Sequence, residues 1–272
     1  MIELVGKIGS MALVDKSAGD IDYNRFAFIS KQLTPNMAWI TSGAVEIGRL
    51  DFLKRNGKVL AGGDCDNKTD YAAQGQAILM QTYRNFVDQK YGIRQILVEH
   101  SHFNDSEKRA HIKGLIARAA SQNSIPIINY NDAVSNEESR KVEIADLKKS
   151  NVAPAELVDN DETAAQIACL VKANTLLILS SLDGIYLNLT DPKSLIKELK
   201  AKTYDEVCGK IDALKQHSCV GASRTGANGA GAKLEYIKPC LAQGTRVIIA
   251  SPKYAFRDIL NGSAPSTTIY VE

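Results

Sequence analysis

The sequence has no excess charge of either sign. Lys plus Arg total 33 against 31 Asp plus Glu, a formal net charge of +2 over 272 residues. A protein that grips a nucleic-acid backbone needs many cations to neutralise phosphates, so no nucleic-acid partner is expected. Long apolar runs are also missing. None approaches the roughly 18–20 residues that cross a bilayer, and no membrane partner is expected. The opening residues Met1-Ile2-Glu3 lack a basic region ahead of an apolar core, so no secretory leader is expected. Cysteines are few and odd in number: Cys65, Cys169, Cys208, Cys219 and Cys240, with no C-x-x-C pair. That usage points to a reducing, cytoplasmic setting rather than a disulfide framework or a zinc site. Cys169, inside an apolar helical pattern, reads as core filler. The four histidines give one close pair, His100-x-His102. A metal site needs more ligands, so the pair reads as a polar strand end and no metal ligand is assigned.

The rest of the composition is ordinary for a globular protein, at 44% hydrophobic and 24% charged. It is too apolar for a disordered chain and long enough to bury a substantial core. Short apolar runs at Glu3–Ile8, Met37–Thr41, Arg94–Glu99, Ile125–Asn129, Leu176–Ser180 and Arg246–Ser251 read as strands, several of them covered on both faces. Helical periodicity fills the intervals: Ile21–Leu33, Ala44–Lys54, Tyr71–Lys90, Ser106–Asn123, Asp161–Ala173, Tyr204–Lys215 and Lys233–Gln243. Repeated strand–helix alternation predicts an α/β three-layer sandwich with a mostly parallel central sheet. Asn56–Thr69, Asn136–Ala155 and Cys219–Ala232 read as loops. None is composed like a linker, so a single domain over 1–272 is expected.

Ligands in open α/β sheets bind beyond the carboxyl ends of strands. The first strand leads into Gly6-Lys7-Ile8-Gly9-Ser10, where glycines admit a close phosphate and Lys7 supplies charge. A turn with a surface lysine fits equally well. The second strand leads into Thr41-Ser42-Gly43 at a helix start, a ready anion site unless Ser42 is only a cap. Asn129-Tyr130-Asn131-Asp132 ends the fourth strand; its amides and carboxylate could hold an ammonium group or magnesium, or form a polar turn. In Asp159-Asn160-Asp161-Glu162, Asp159 with Glu162 suffices for a capping box, leaving Asn160 and Asp161 surplus to it. Ser180 and Ser181 could line a nucleotide pocket, and Asp183-Gly184 reads equally as a plain turn. Gly226–Lys233 fails both the P-loop and the dinucleotide patterns, yet remains a glycine-rich cradle ending in lysine at a helix start. Lysines beside glycine loops, together with acid–amide clusters, suit phosphoryl transfer.

Taken in order, Val5–Ser10, Ile40–Gly48, Ala72–Tyr83, Ile125–Val134, Asp159–Ala168, Leu176–Tyr186 and Gly226–Lys233 resemble the amino acid kinase family. Within it they resemble the branch that phosphorylates the side-chain carboxylate of L-glutamate at the start of proline synthesis. The resemblance spans nearly the whole chain and implies the carbamate kinase-like fold. It implies ATP and Mg2+ as cofactors, L-glutamate as acceptor, and a homo-oligomer, dimer or tetramer. Many members continue into an RNA-binding-like PUA domain, and none is expected here. Carried over by position, Lys7 and Lys233 would bridge the transferring phosphate and Asp161 would hold both. Gly9 and Ser10 would approach the phosphate. Ser42 and Gly43 would take the acceptor's carboxylate end, while Asn129, Asp132 and Asn160 would grip its ammonium and carboxylate groups. Gly229 and Gly231 would cradle nucleotide phosphates, with Ser180 and Ser181 near the nucleotide. The chain departs from the family pattern at Met11, Tyr130, Ser180-Ser181 and Asn228–Lys233. Two alternatives stay open: a kinase of this fold with another small acceptor, and a non-catalytic relative that senses an amino acid or nucleotide.

Overall fold

A computed structural model describes residues 2–135, 137–149, 154–218 and 229–272. In chain order come β1 (Leu4–Ile8), β2 (Val14–Asp15), β3 (Asp20–Ile21), α1 (Tyr23–Ser30), β4 (Met37–Thr41), α2 (Ala44–Asn56) and α3 (Asp64–Phe86). Then follow β5 (Gly92–Val98), α4 (Ser101–Asn104), α5 (Ser106–Ser121), β6 (Ser124–Tyr130), α6 (Glu137–Lys149) and α7 (Asn160–Val171). The remainder is β7 (Thr175–Leu179), β8 (Ile185–Tyr186), β9 (Leu195–Ile196), β10 (Glu198–Ala201), α8 (Tyr204–Ser218), α9 (Gly229–Tyr236), α10 (Lys238–Ala242), β11 (Arg246–Ala250), α11 (Phe256–Leu260) and β12 (Ser266–Val271). The sheet is mostly parallel and flanked by helices, as the strand–helix alternation predicts.

The chain groups into two compact units: residues 1–8, 36–40 and 159–272, and residues 9–35 and 41–158. In the first unit the strand order runs β10-β12-β11-β7-β1-β4. β1 and β11 each pair in parallel with β7, so all three carboxyl ends lie at one edge. β12 runs antiparallel to β11 and parallel to β10. Every residue of β1 and β7 is buried, which accounts for their mainly apolar character, with Lys7 the charged exception in β1. Gly6 lets the β1 backbone pass directly over the Trp39 ring; a Cβ there would overlap that ring. Its lack of a side chain therefore serves packing. In the second unit β5 and β6 pair in parallel. There α2 and α3 cross at Gly48 and Gly75, and a Cβ on either would overlap backbone of the other helix.

Several boundaries differ from expectation, each for a local reason. Asp22 caps α1 by accepting from the Arg25 N–H at 2.8 Å, so the helix begins two residues later than its apolar pattern. α3 starts at Asp64 and α6 occupies Glu137–Lys149, both inside segments read as loops. Their polar sequences form helices whose faces are largely exposed. The expected helix over Lys233–Gln243 is two helices, α9 and α10. Pro239 sits in the first turn of α10, where its missing N–H does no harm. β10 and β12 were not anticipated; β10 alternates exposed and buried residues and β12 opens on Ser-Thr-Thr, so neither reads as an apolar run. His100 and His102 stand at a short helical turn after β5, and His100 Nε2 meets Glu143 Oε2 at 2.5 Å. Of the expected loop Cys219–Ala232, residues 219–228 lie outside the described residues.

Candidate active site

The charge centre of the first unit forms where β1 ends. Lys7, the penultimate residue of β1, is only 7% exposed. A buried ammonium requires a partner, and Asp161 supplies it: Lys7 Nζ stands 2.6 Å from Asp161 Oδ1. Lys233, on α9, donates to the other oxygen, Asp161 Oδ2. Asp161 is 3% exposed, in the first turn of α7. Its neighbour Asp159 fixes that turn by accepting from the Asp161 and Glu162 N–H groups at 2.8 and 3.1 Å. The cap expected of Asp159 is thus formed, and the surplus acid Asp161 is the one that gathers both lysines. Burial alone would raise the Asp161 pKa, but the charges of Lys7 and Lys233 outweigh it and hold the carboxyl below its usual range. Burial and the Asp161 charge push Asp159 up, partly offset by the N–H groups it accepts. Two ammonium groups thus converge on the Asp161 carboxylate, held in place before any ligand arrives.

The second unit carries a separate polar cluster at the end of β6. Asn129, 1% exposed, donates from Nδ2 to Gln76 Oε1 at 2.9 Å and accepts from the Tyr130 N–H at 2.9 Å. Asp132 pairs with Lys68 Nζ at 3.3 Å, and Lys68 lies 3.5 Å from Glu137 Oε1. Burial raises the Asp132 pKa, and the charges of Lys68 and Arg140 only partly oppose it. Asn131 donates to Glu99 Oε1 at 3.0 Å. The buried Tyr130 places its hydroxyl 2.6 Å from Ser135 Oγ. Lys68, Gln76 and Glu99 were not singled out from sequence. The available signal was a lysine and a glutamine on a helix otherwise lined by Ala72, Ala73 and Gly75.

The other expected positions fall as follows. The N-cap of α2 is Gly43, at φ 112°, rather than Ser42. That left-handed conformation suits glycine and turns the chain from β4 into the helix. Gly9 is extended (φ −81°, ψ 152°) and precedes a short 3-10 turn, Ser10–Ala12, in which Ser10 is buried. The Ser180 N–H donates to the Ala250 carbonyl at 2.8 Å, prolonging the β7–β11 ladder, and Ser181 is exposed beside it. Asn160 opens α7 in the first unit, next to Asp161. Gly229 and Gly231 lie in the first turn of α9, while Gly226–Asn228 are outside the described residues. The structure thus brings Lys7, Asp161 and Lys233 together, and separately groups Asn129 with Gln76 and Asp132 with Lys68. Among the described residues no three His, Cys, Asp or Glu side chains gather into a metal cluster, and no helix is long and apolar enough to cross a membrane.

The mostly parallel sheet flanked by helices is the amino acid kinase fold. The chain belongs to the Amino acid kinase family, whose sequence profile matches residues 4–251. Among solved structures it is similar to carbamate kinase from Giardia lamblia (16% identity, TM-score 0.64, covering 99% of this chain and 98% of that one). It is also similar to UMP kinase from Ureaplasma parvum (12% identity, TM-score 0.57, covering 98% of each). Curated relatives include glutamate 5-kinase from Streptococcus suis, 27% identical over 92% of this chain and 64% of that protein. Glutamate 5-kinase 2 from Bacillus subtilis is 28% identical over 90% of this chain and 61% of its own length. Glutamate 5-kinase from a Thermoanaerobacter species is 30% identical over 84% and 56%. The chain thus spans 56–64% of the length of these curated relatives.

Proposed function

We propose that this chain transfers the γ-phosphoryl group of ATP to the side-chain carboxylate of L-glutamate, giving glutamyl 5-phosphate, the first step of proline synthesis. The observation that carries phosphoryl transfer is the buried Lys7–Asp161–Lys233 centre. Similarity to glutamate 5-kinases supports the acceptor. A carboxylate is already a nucleophile, so no general base is needed. One of its oxygens bonds to the γ-phosphorus as the bond to the β,γ-bridging oxygen breaks, and ADP leaves with that electron pair. Lys7 and Lys233 face the charge that develops on the equatorial oxygens, and Asp161 keeps them in position. Within the second unit, Asp132 and Asn129 suit an α-ammonium group and Ser42 and Gly43 suit a carboxylate. Within the first unit, Ser180, Ser181, Gly229 and Gly231 serve the nucleotide.

Asp161 is committed to two lysines, so the residues present fit a magnesium ion carried by nucleotide phosphates and water rather than by protein ligands. Bound there, it would supply charge neutralisation on the phosphates. The same reading makes the protein a cytoplasmic homo-oligomer built on a single kinase domain. Tyr130, fixed by Ser135 where the family pattern has glutamate, favours a second reading in which another small acid is the acceptor. A coupled ADP assay across amino acids and small acids decides. Glutamate- and magnesium-dependent ADP release is expected. Turnover with a different acid alone would replace the acceptor, and glutamate binding without turnover would make the protein a sensor.

A further inference from the structure

Cys169 and Cys240 are 71 positions apart in sequence, yet their Sγ atoms lie 3.3 Å from each other within the first unit. Cys169 stands near the end of α7 and is half-buried; Cys240, on α10, is fully buried. The Cys240 sulfur is also 3.3 Å from the Ala165 carbonyl oxygen, one turn earlier on α7, which fixes it over that helix. The two thiols are therefore unequal. The contact with Cys240 holds the Cys169 thiol below its ordinary range, against the effect of burial. The same contact, with burial, pushes the Cys240 thiol up. The more accessible and more acidic sulfur is the one that can react first. Phosphoryl transfer uses neither.

We propose that Cys169 and Cys240 form a covalent modification site, a dithiol that low-molecular-weight disulfides convert reversibly into an intramolecular disulfide. The Cys169 thiolate attacks a small disulfide RSSR, forming Cys169–S–S–R and releasing RS⁻. Cys240 then attacks the Cys169 sulfur, the second RS⁻ leaves, and the two thiol protons end on the released thiols. In balance, two protein thiols and RSSR give one protein disulfide and two RSH. The link fastens α7, whose first turn carries Asp161, to α10, which follows Lys233, within a short chain distance of both.

The test treats the intact protein with oxidised glutathione, blocks the remaining thiols under denaturing conditions and maps the peptides by mass. The expected result is a peptide pair joined through Cys169 and Cys240, lighter than the reduced pair by two hydrogens and restored by dithiothreitol. Closing so long a loop should raise the thermal midpoint by about 5–10 °C. Cys169→Ser should abolish both changes, and Cys240→Ser should halt at a glutathione adduct on Cys169. Should the buried Cys240→Ser variant not fold, the wild-type map and Cys169→Ser still decide. Full alkylation of both cysteines after treatment, or an adduct that persists on wild-type Cys169 without closing onto Cys240, would overturn the proposal.

Discussion

In the proposed phosphoryl transfer Lys233 is the most direct test, because it pairs with Asp161 yet is less buried than Lys7. Lys233→Ala should lower kcat by about 10²- to 10³-fold, the scale for removing one preorganised charge partner, while calorimetric affinity for the acceptor stays unchanged. Lys7→Ala should behave differently. It strips a buried carboxylate of one of two cations, so the protein itself should weaken by about 3–5 kcal/mol in urea unfolding. Asp132 sets a pH dependence of its own. Its pKa is raised, so acidification neutralises it earlier than an ordinary aspartate. In the proposed reaction, the KM for an ammonium-bearing acceptor should therefore climb as pH falls, starting above the range of an ordinary aspartate, with kcat steadier. Lys68 opposes that rise, so Lys68→Ala should shift the climb to higher pH, and Asp132→Asn should flatten it at a higher KM throughout. Steady-state kinetics across pH for the three proteins checks this. These side-chain pairings were only half legible in the sequence. Asp161 stood out because one acid already capped the helix. Lys68 and Gln76 did not, since a polar residue on a helix reads as solvent-facing until the strand end it meets is known.

Elements were legible wherever burial was one-sided in pattern and punctuated. β4 and the start of α2 coincide with their predicted positions because Gly43 and a continuous apolar strand mark them. α6 and the first turns of α3 were missed because their composition is that of a loop. The contact of α2 with α3 yields a sharp prediction. Gly48 lies against the Tyr71 carbonyl and Gly75 against the Ala44 carbonyl, so any added methyl meets backbone that cannot step aside. Gly48→Ala should lower stability by about 1–3 kcal/mol despite alanine's better helix propensity, read as a lower urea midpoint at constant m-value. An exposed glycine such as Gly209 on α8, with nothing near its Cβ position, should show the opposite sign under the same change.

On the scale of the whole molecule, parallel β1, β7 and β11 were readable because each carries a short run of buried apolar residues. The edge pair β10 and β12 was not, because half-exposed strands mix polar and apolar residues. Acid stability belongs to this scale. Asp161 has a folded-state pKa below that of the unfolded chain, so it stabilises the fold above about pH 3.9 and that share is lost as pH falls through its lower folded value. Urea midpoints measured from pH 5 downward should fall more steeply for the native protein than for Asp161→Asn. The core of the first unit also offers an optical handle. Trp39 is the sole tryptophan of the chain, fully buried, with its ring stacked on Phe256 at 5.4 Å between centroids. Its emission therefore reports solvent entry into that unit alone, while far-ultraviolet dichroism averages over every helix in the chain. Superimposable denaturation curves from the two signals would mean that both units melt in concert; a displaced fluorescence curve would time the loss of the unit that holds the Lys7–Asp161–Lys233 centre separately from the rest.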